Sequence, residues 1–281
     1  MKRLSLLLFV LTPLWPLISA HAQTFGPNEA GVSFGQYYTI VRDINATKKF
    51  WTILGGTAIK IDGLDVMKFP GVLIFLTQGT PTGGSVGTTV NHIGFEVDNI
   101  VETLKRWEGE GIKIDRIGTS PLNGHHTGHF DSPDGIELEI TEAGGAPYPP
   151  LPSGVTIMSN HIHFSVQEPP QSNRQVMQDW YVKTLGAAPR TLRGELVGGV
   201  PGMEFMRYGF PTNSLVPTKG RAVDHIGFEI KNLKDFCDKL ASKGITLDAP
   251  YSTTRHKSFA SAELTDPFGT SIELTEGLNK F

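Results

Sequence analysis

Histidines and glutamates recur at matching places along this chain, and their types suit the binding of a divalent metal. His161 and His225 open two similar segments of alternating polar and apolar residues, and Glu273 lies near the end of the chain in a similar closing segment. Two neutral imidazoles and one carboxylate form the facial triad that binds Fe(II), and they also suit Mn, Ni or Zn. We therefore predict one divalent transition metal at these residues. The alternative interpretation treats them as unrelated residues, either packed in the core or exposed.

The first half of the chain offers a second, weaker set of ligands at the corresponding positions. This set consists of Gln36, His92 and Glu139. An amide oxygen is a neutral and weaker ligand than an imidazole for a transition metal, so we expect this set to hold metal less firmly, if at all. Three further histidines lie in the segment 124–129. An exposed polar loop and a role close to the metal are both open interpretations of that segment.

These matching positions arise because the chain contains an internal repeat. The segment 92–97 (HIGFEV) recurs at 225–230 (HIGFEI), and the segment 161–166 resembles both. In such a strand the histidine shares one face with the glycine and glutamate, and the apolar residues share the other. A helical pattern and two or three further strands follow each opening strand. The sequence thus predicts an α+β fold of four βαβββ modules, which begin near Phe34, Val90, Met158 and Val223.

Length and composition set the domain organisation and the class of partner. A chain of 281 residues is long enough for about two domains. We predict one domain from residues 31–143, with modules 1 and 2, and one from residues 155–281, with modules 3 and 4. The Pro/Gly-rich segment 144–154 is typical of a stiff linker. A formal charge of -3 leaves no basic surplus for nucleic-acid binding, so a small molecule is the expected partner.

The first 22 residues have the pattern of a signal peptide. Two basic residues precede an apolar run over residues 4–18, and residues 20–22 (AHA) form a cleavage site of the small-x-small type. The run is short for a membrane span and contains two prolines, although a retained anchor is the alternative. We expect cleavage between Ala22 and Gln23, a periplasmic or secreted product, and no stable membrane insertion.

The strands and their endings resemble the vicinal oxygen chelate superfamily, which includes glyoxalases, extradiol dioxygenases and bleomycin-type resistance proteins. The resemblance rests on the His-x-Gly-Phe strands, on the helix end at residues 181–186 (YVKTLG) and on the ending at residues 266–273 (DPFGTSIE). It implies that paired modules curl into cup-shaped mixed sheets, one glyoxalase-like domain per half, with metal at the centre. The four-module layout is most similar to type I extradiol dioxygenases, whose metal triad maps onto His161, His225 and Glu273.

The chain also departs from the ring-cleaving members of this superfamily. Ala262 and Glu263 stand where an apolar residue and a tyrosine are expected, and residues 196–210 contain no histidine. At the tyrosine position, Glu263 is predicted to act as a general base near the metal, with His256 as a second proton carrier. The alternative is a surface carboxylate paired with a neighbouring basic side chain.

Together the motifs and the resemblance predict an exported, metal-dependent enzyme. Its reaction is expected to be that of a dioxygenase or of a lyase or isomerase, on a small substrate chelated through adjacent oxygens. The alternative is a non-catalytic protein that sequesters a ligand in its cup, as bleomycin-type resistance proteins do. A firmly bound metal would favour the enzyme.

Overall fold

The computed structural model describes residues 25–119, 124, 126–145, 148–192, 194–212 and 214–281. The predicted signal peptide and His125 lie outside the described residues, so export and cleavage stay predictions. Within the described ranges, no helix is long and apolar enough to cross a membrane.

The chain forms the predicted α+β fold of four modules with one helix each. Module 1 consists of β1 (Val32–Val41), α1 (Ile44–Leu54), β2 (Thr57–Ile61), β3 (Leu64–Phe69) and β4 (Val72–Gln78). Module 2 consists of β5 (Val90–Val97), α2 (Ile100–Gly109), β6 (Arg116–Thr119), β7 (His126–Asp131) and β8 (Glu137–Glu142). Module 3 consists of β9 (Ile157–Gln167), α3 (Pro170–Leu185), β10 (Arg190–Leu192), β11 (Glu195–Val200) and β12 (Met203–Thr212). Module 4 consists of β13 (Val223–Ile230), α4 (Leu233–Ser242), β14 (Ala249–Ser252), β15 (Ala260–Thr265) and β16 (Ser271–Glu276), followed by a 3-10 helix, Leu278–Lys280.

The capping residues of α1 explain why this helix begins and ends where it does. The Asp43 carboxylate accepts hydrogen bonds from the backbone N–H groups of Asn45 and Ala46, which have no partner within the helix. Gly55 ends the helix with φ 113°, a left-handed conformation that favours glycine. Between these ends the helix buries Trp51 against the sheet.

Alternation along each strand separates an apolar face from a polar one. In β5, Ile93 and Phe95 join the main apolar core together with Leu104 and Trp107 of α2. Because successive side chains point to opposite faces, His92 lies on the other face of the same strand. We call this second face, which is turned away from the helices, the open face of the sheet.

The strands form two eight-stranded mixed sheets. Sheet 1 has the order β14-β15-β16-β13-β1-β4-β3-β2, and sheet 2 has the order β10-β11-β12-β9-β5-β8-β7-β6. At their centres β1 pairs antiparallel with β13, and β5 pairs antiparallel with β9. Modules 1 and 4 therefore build sheet 1, and modules 2 and 3 build sheet 2.

This pairing differs from the predicted grouping of the modules. The sequence groups modules 1 and 2 in residues 31–143 and modules 3 and 4 in residues 155–281, whereas each sheet takes one module from each of these ranges. The repeat alone cannot determine which modules pair in one sheet, because all four opening strands have the same alternation and offer the same edge for pairing. The two glyoxalase-like domains are thus assembled across the halves of the sequence.

Candidate metal centre

Three side chains converge on the open face of sheet 2, at the seam between β5 and β9. Nε2 of His92 lies 3.0 Å from Oε2 of Glu139, and Nε2 of His161 lies 3.2 Å from the same oxygen. The three ligand atoms all lie within 4.8 Å of one another, and all three residues are buried. We call this cluster the His92 site.

A glycine in the opposite strand makes this convergence possible. His161 pairs with Gly94 across the seam, and Glu139 lies beside the same glycine in the parallel pairing of β5 with β8. A Cβ atom at Gly94 would come within 1.9 Å of the His161 ring. Because glycine has no side chain, the imidazole of His161 can lie directly over the β5 backbone and reach Glu139.

Two asparagines orient the imidazoles of the His92 site. Nδ1 of His92 lies 3.0 Å from Oδ1 of Asn91, and Nδ1 of His161 lies 2.8 Å from Oδ1 of Asn160. The Asn160 amide is itself oriented, since its Nδ2 donates to Thr141. An amide oxygen only accepts, so each Nδ1 carries the proton and donates it. In a neutral ring protonated at Nδ1, Nε2 carries the lone pair that a metal ion between the imidazole and Glu139 would bind.

Burial and contacts set the charges in the His92 site. Burial lowers the pKa of His161 to about 4, although Glu139 opposes this shift, so the ring is neutral at pH 7. Burial alone would raise the pKa of Glu139, but its contacts with His161 and His92 outweigh burial and hold this pKa well below its usual range. These are the ionisation states that metal ligands need. The donor set of two imidazole nitrogens and one carboxylate oxygen fits a divalent transition metal.

Further histidines border the His92 site. Nε2 of His129 lies 3.9 Å from Oε1 of Glu139, and its Nδ1 lies 3.4 Å from Oε1 of Glu137. The His163 ring lies 4.9 Å from the His92 ring, measured between centroids. In the histidine-rich segment 124–129, His129 therefore approaches the metal centre, whereas His126 is exposed at the start of β7.

The equivalent positions of sheet 1 bring together Gln36, His225 and Glu273, which we call the His225 site. Gln36 pairs with Gly227, and a Cβ at this glycine would lie 2.2 Å from the Gln36 amide. Nε2 of His225 lies 3.8 Å from Oε2 of Glu273. His256 also reaches this site, with its Nε2 3.3 Å from Oε1 of Glu273.

The structure thus groups the predicted ligands differently from the sequence analysis. The sequence analysis places His161 with His225 and Glu273. It places Gln36 with His92 and Glu139. In the structure His161 and Gln36 exchange places, because module 3 pairs with module 2 and module 4 with module 1. The complete set of two histidines and one glutamate therefore lies in the His92 site, in which the sequence predicts the weaker centre.

The His225 site differs from the His92 site in the residue that contacts Nδ1 of its histidine. Nδ1 of His225 lies 2.6 Å from Oδ1 of Asp224, where the His92 site has a neutral amide. Burial lowers the pKa of His225, but Asp224 and Glu273 outweigh burial and raise it overall. Burial likewise opposes ionisation of Glu273, yet His225 and His256 lower its pKa to about 2. Gln36 also supplies a neutral amide in place of one imidazole, and an amide oxygen is a weaker ligand for a transition metal.

The two predicted proton carriers, His256 and Glu263, belong to the His225 site. Glu263 of β15 pairs with Glu273 of β16, and its Oε1 lies 3.9 Å from Nη1 of Arg255. In sheet 2 the equivalent position is occupied by His129, which pairs with Glu139. The catalytic roles predicted for His256 and Glu263 stay predictions.

Apolar side chains fill the open face of sheet 1 around the His225 site. The Tyr38 ring stacks on the His225 ring at 4.1 Å and on the Phe75 ring at 4.3 Å. Glu229 accepts hydrogen bonds from the backbone N–H groups of Gly277 and Leu278, which fixes the end of the chain over this face. The buried cluster consists of Tyr38, Ile61, Val66, Leu73, Phe75, Phe259 and Leu278. The face is therefore occupied by the protein's own side chains.

Replacing Leu278 by alanine is expected to destabilise the fold without changing metal content. The side chain is fully buried in the apolar cluster, so its loss should lower the free energy of unfolding by about 2–5 kcal/mol. Urea unfolding of the wild type and the variant measures this difference. Val101→Ala is the control, because Val101 is 61% exposed and its truncation should cost less than about 0.5 kcal/mol. Equal stabilities of Leu278→Ala and Val101→Ala would contradict a packed open face.

The asparagines that orient the His92 site were missed in the sequence analysis. A signal for them exists, because an amide or carboxylate residue directly precedes each of the three predicted ligand histidines, His92, His161 and His225. The preceding residues are Asn91, Asn160 and Asp224. This residue is an amide in the His92 site and a carboxylate in the His225 site.

The fold and the site define a protein of paired βαβββ modules with a candidate metal site. The sequence profile described as Glyoxalase/Bleomycin resistance protein/Dioxygenase superfamily matches residues 33–140 and 172–274. The chain belongs to this superfamily. A comparison with curated proteins gave no match.

Solved structures of other proteins share this fold over most of the chain. A Bacillus subtilis protein with a provisional dioxygenase assignment is 15% identical, with a TM-score of 0.62, and the match covers 92% of this chain and 86% of that protein. Glyoxalase I from Zea mays is 16% identical, with a TM-score of 0.63, and the match covers 87% of this chain and 92% of the maize enzyme. At these identities the likeness establishes the fold alone.

Proposed function

We propose that this chain is an enzyme that binds one divalent transition metal at the His92 site and acts on a small substrate through two adjacent oxygens. The observation that carries the proposal is the convergence of two imidazole Nε2 atoms on one oxygen of Glu139. When bound, the metal would act as a Lewis acid that stabilises negative charge on a substrate oxygen. Three protein ligands leave coordination positions for that substrate.

The chain's own residues hold and orient this centre. Asn91 and Asn160 fix the His92 and His161 rings, so the ligand atoms are arranged before anything binds. Tyr148, from the predicted linker segment, packs edge-to-face on Phe205 at 5.0 Å on the open face of sheet 2. This contact supports a role for the linker in restricting access of water to the site.

His129 is the side chain best placed to carry a proton in this reaction. It lies beside Glu139, and 14% of its side chain is exposed, so it can exchange protons with solvent or with a substrate. An imidazole is the common general acid or base near neutral pH. On sheet 1 the same strand position carries Glu263, which the sequence analysis predicts to be a general base.

Two reaction classes remain within the proposal, and the metal separates them. Two histidines and one carboxylate suit Fe(II) in oxygenases, whereas Mn, Ni or Zn in the same site suits lyase or isomerase chemistry. Iron in the purified protein would favour a dioxygenase. A metal-free protein that still binds ligands would favour sequestration instead.

Elemental analysis of protein purified without chelators tests the proposal directly. We expect one transition metal per chain in the wild type and at least a tenfold lower content in His161→Gln, since this variant has the ligand set of the His225 site. His225→Gln is the matched control and should retain the metal. A metal-free wild type, or loss of the metal in His225→Gln but not in His161→Gln, would refute the proposed site.

A further inference from the structure

An arginine occupies, in module 3, the strand position that holds the glutamate ligand in modules 2 and 4. In module 2, His92 pairs with Glu137, two residues before Glu139. In module 3, His161 pairs with Phe205, two residues before Arg207. The seam between β5 and β9 is therefore flanked by a carboxylate on one side and by a guanidinium on the other.

Arg207 is buried, and its ion pair uses only part of its hydrogen-bonding capacity. Its side chain is 8% exposed, and its Nε and Nη2 both donate to the same oxygen of Glu195, at 3.2 and 2.8 Å. Among the described residues, no hydrogen bond is found for its Nη1. A guanidinium matches both oxygens of a carboxylate in a planar fork, so contact with one oxygen of a carboxylate that is 34% exposed uses only part of its capacity.

Arg207 lies in β12, next to the strand that carries His161 of the His92 site. Arg207 pairs with His163, whose ring contacts His92, and all three lie on the open face of sheet 2. An arginine side chain is longer than that of Glu139, which reaches the seam from the same strand position.

The charge balance of the site favours an anionic ligand. A divalent cation bound by two neutral imidazoles and one carboxylate keeps one positive charge. The pair of Arg207 with Glu195 is neutral overall, as is the pair of Arg116 with Glu137 at the border of the site. The open face of sheet 1 has Phe75 at the position of Arg207 and is filled by apolar side chains. Only sheet 2 therefore combines a complete ligand set with a buried cation, among the described residues.

We propose that Arg207 binds a carboxylate of the substrate, so that the His92 site selects small 2-oxo or 2-hydroxy carboxylic acids over their neutral analogues. This inference rests on the proposed metal-dependent function. Glu195 holds the guanidinium in place and competes with the substrate carboxylate for it. A substrate that bears both a carboxylate and an adjacent oxygen would engage the metal and the arginine together.

Ligand titrations of the Co(II)-loaded protein, followed by its visible spectrum, test this inference. The probes are pyruvate and hydroxyacetone, which both offer adjacent oxygens but differ in charge. We expect Arg207→Met to weaken pyruvate binding at least tenfold and to leave hydroxyacetone binding unchanged. Arg190→Met is the matched control, because Arg190 pairs with Glu204 on the same module but is 42% exposed, and it should change neither affinity.

A second variant separates substrate binding from a purely structural ion pair. Glu195→Gln removes the competing carboxylate, so pyruvate should bind more tightly than it does to the wild type. If the pair only supports the fold, Glu195→Gln and Arg207→Met should weaken both probes alike, and this result would overturn the inference. Stoichiometric Co(II) uptake that His161→Gln abolishes confirms the metal site independently, so failure of the proposed function is recognised before any probe is added.

Discussion

Glu139→Gln is expected to lower the metal affinity of the protein by more than about 100-fold. Loss of a residue that only orients a metal ligand costs roughly 10- to 100-fold in affinity. Glu139 is the only carboxylate of the His92 cluster, and one of its oxygens lies within 3.2 Å of both imidazoles, so its replacement should cost more. Competition with a chromophoric chelator measures the affinity.

Thermal unfolding gives an independent measurement of the same substitution. A metal present at about 100 times its dissociation constant stabilises the wild type by roughly 2.7 kcal/mol. At the same metal concentration Glu139→Gln should gain almost none of this stabilisation. Glu273→Gln is the matched control, because Glu273 has the equivalent position in sheet 1. The metal should stabilise this variant as much as it stabilises the wild type. Equal metal affinities of Glu139→Gln and the wild type would exclude the His92 site as the metal centre.

Gly94→Ala is expected to remove metal binding by a steric effect alone. The added methyl group would lie within 1.9 Å of the His161 ring, which lies over the β5 backbone at this glycine. The imidazole should move out of reach of Glu139, with a loss of metal affinity of about 100-fold or more and a destabilisation of about 1–3 kcal/mol. Elemental analysis and urea unfolding measure the two effects.

The repeat supplies an unusually close control for this substitution. Gly227→Ala places a methyl group 2.2 Å from the Gln36 amide in the other seam, so it should destabilise the fold to a similar extent. It should not change metal content, because Gln36 belongs to the His225 site. If Gly94→Ala keeps the metal at wild-type affinity, His161 is not a ligand.

The local structure of each module was predictable from sequence, whereas the pairing of the modules was not. Alternation in segments such as 92–97 and 225–230 predicts which side chains face the core, and the apolar residues of both strands do so. Pairing depends on contacts between distant segments that share the same pattern. The strand that pairs with β9 needs a glycine under the imidazole of His161. Both β5, with Gly94, and β13, with Gly227, could provide it.

The composition of the candidate site was predictable only in part for the same reason. Residue types and repeat positions identify all six residues of the two seams, but the distribution of His161 and Gln36 between them follows from the pairing of the modules. Arg207 could not be singled out, because no sequence pattern marks it until β12 is placed beside β9. Its position relative to Glu139 is a property of strand register.

The nested pairing of the modules also constrains the order in which the protein can fold. Glu139 and His161 are 22 residues apart, so sheet 2 can assemble as soon as two consecutive modules have left the ribosome. Gln36 and Thr275, which are hydrogen-bonded in sheet 1, are 239 residues apart. Closing the longer loop has the greater entropic cost, and the β1 edge stays without its partner strand until the last module is synthesised. The unit that carries the candidate active centre is thus the one able to mature first, and the unit formed by the two ends of the chain completes around it.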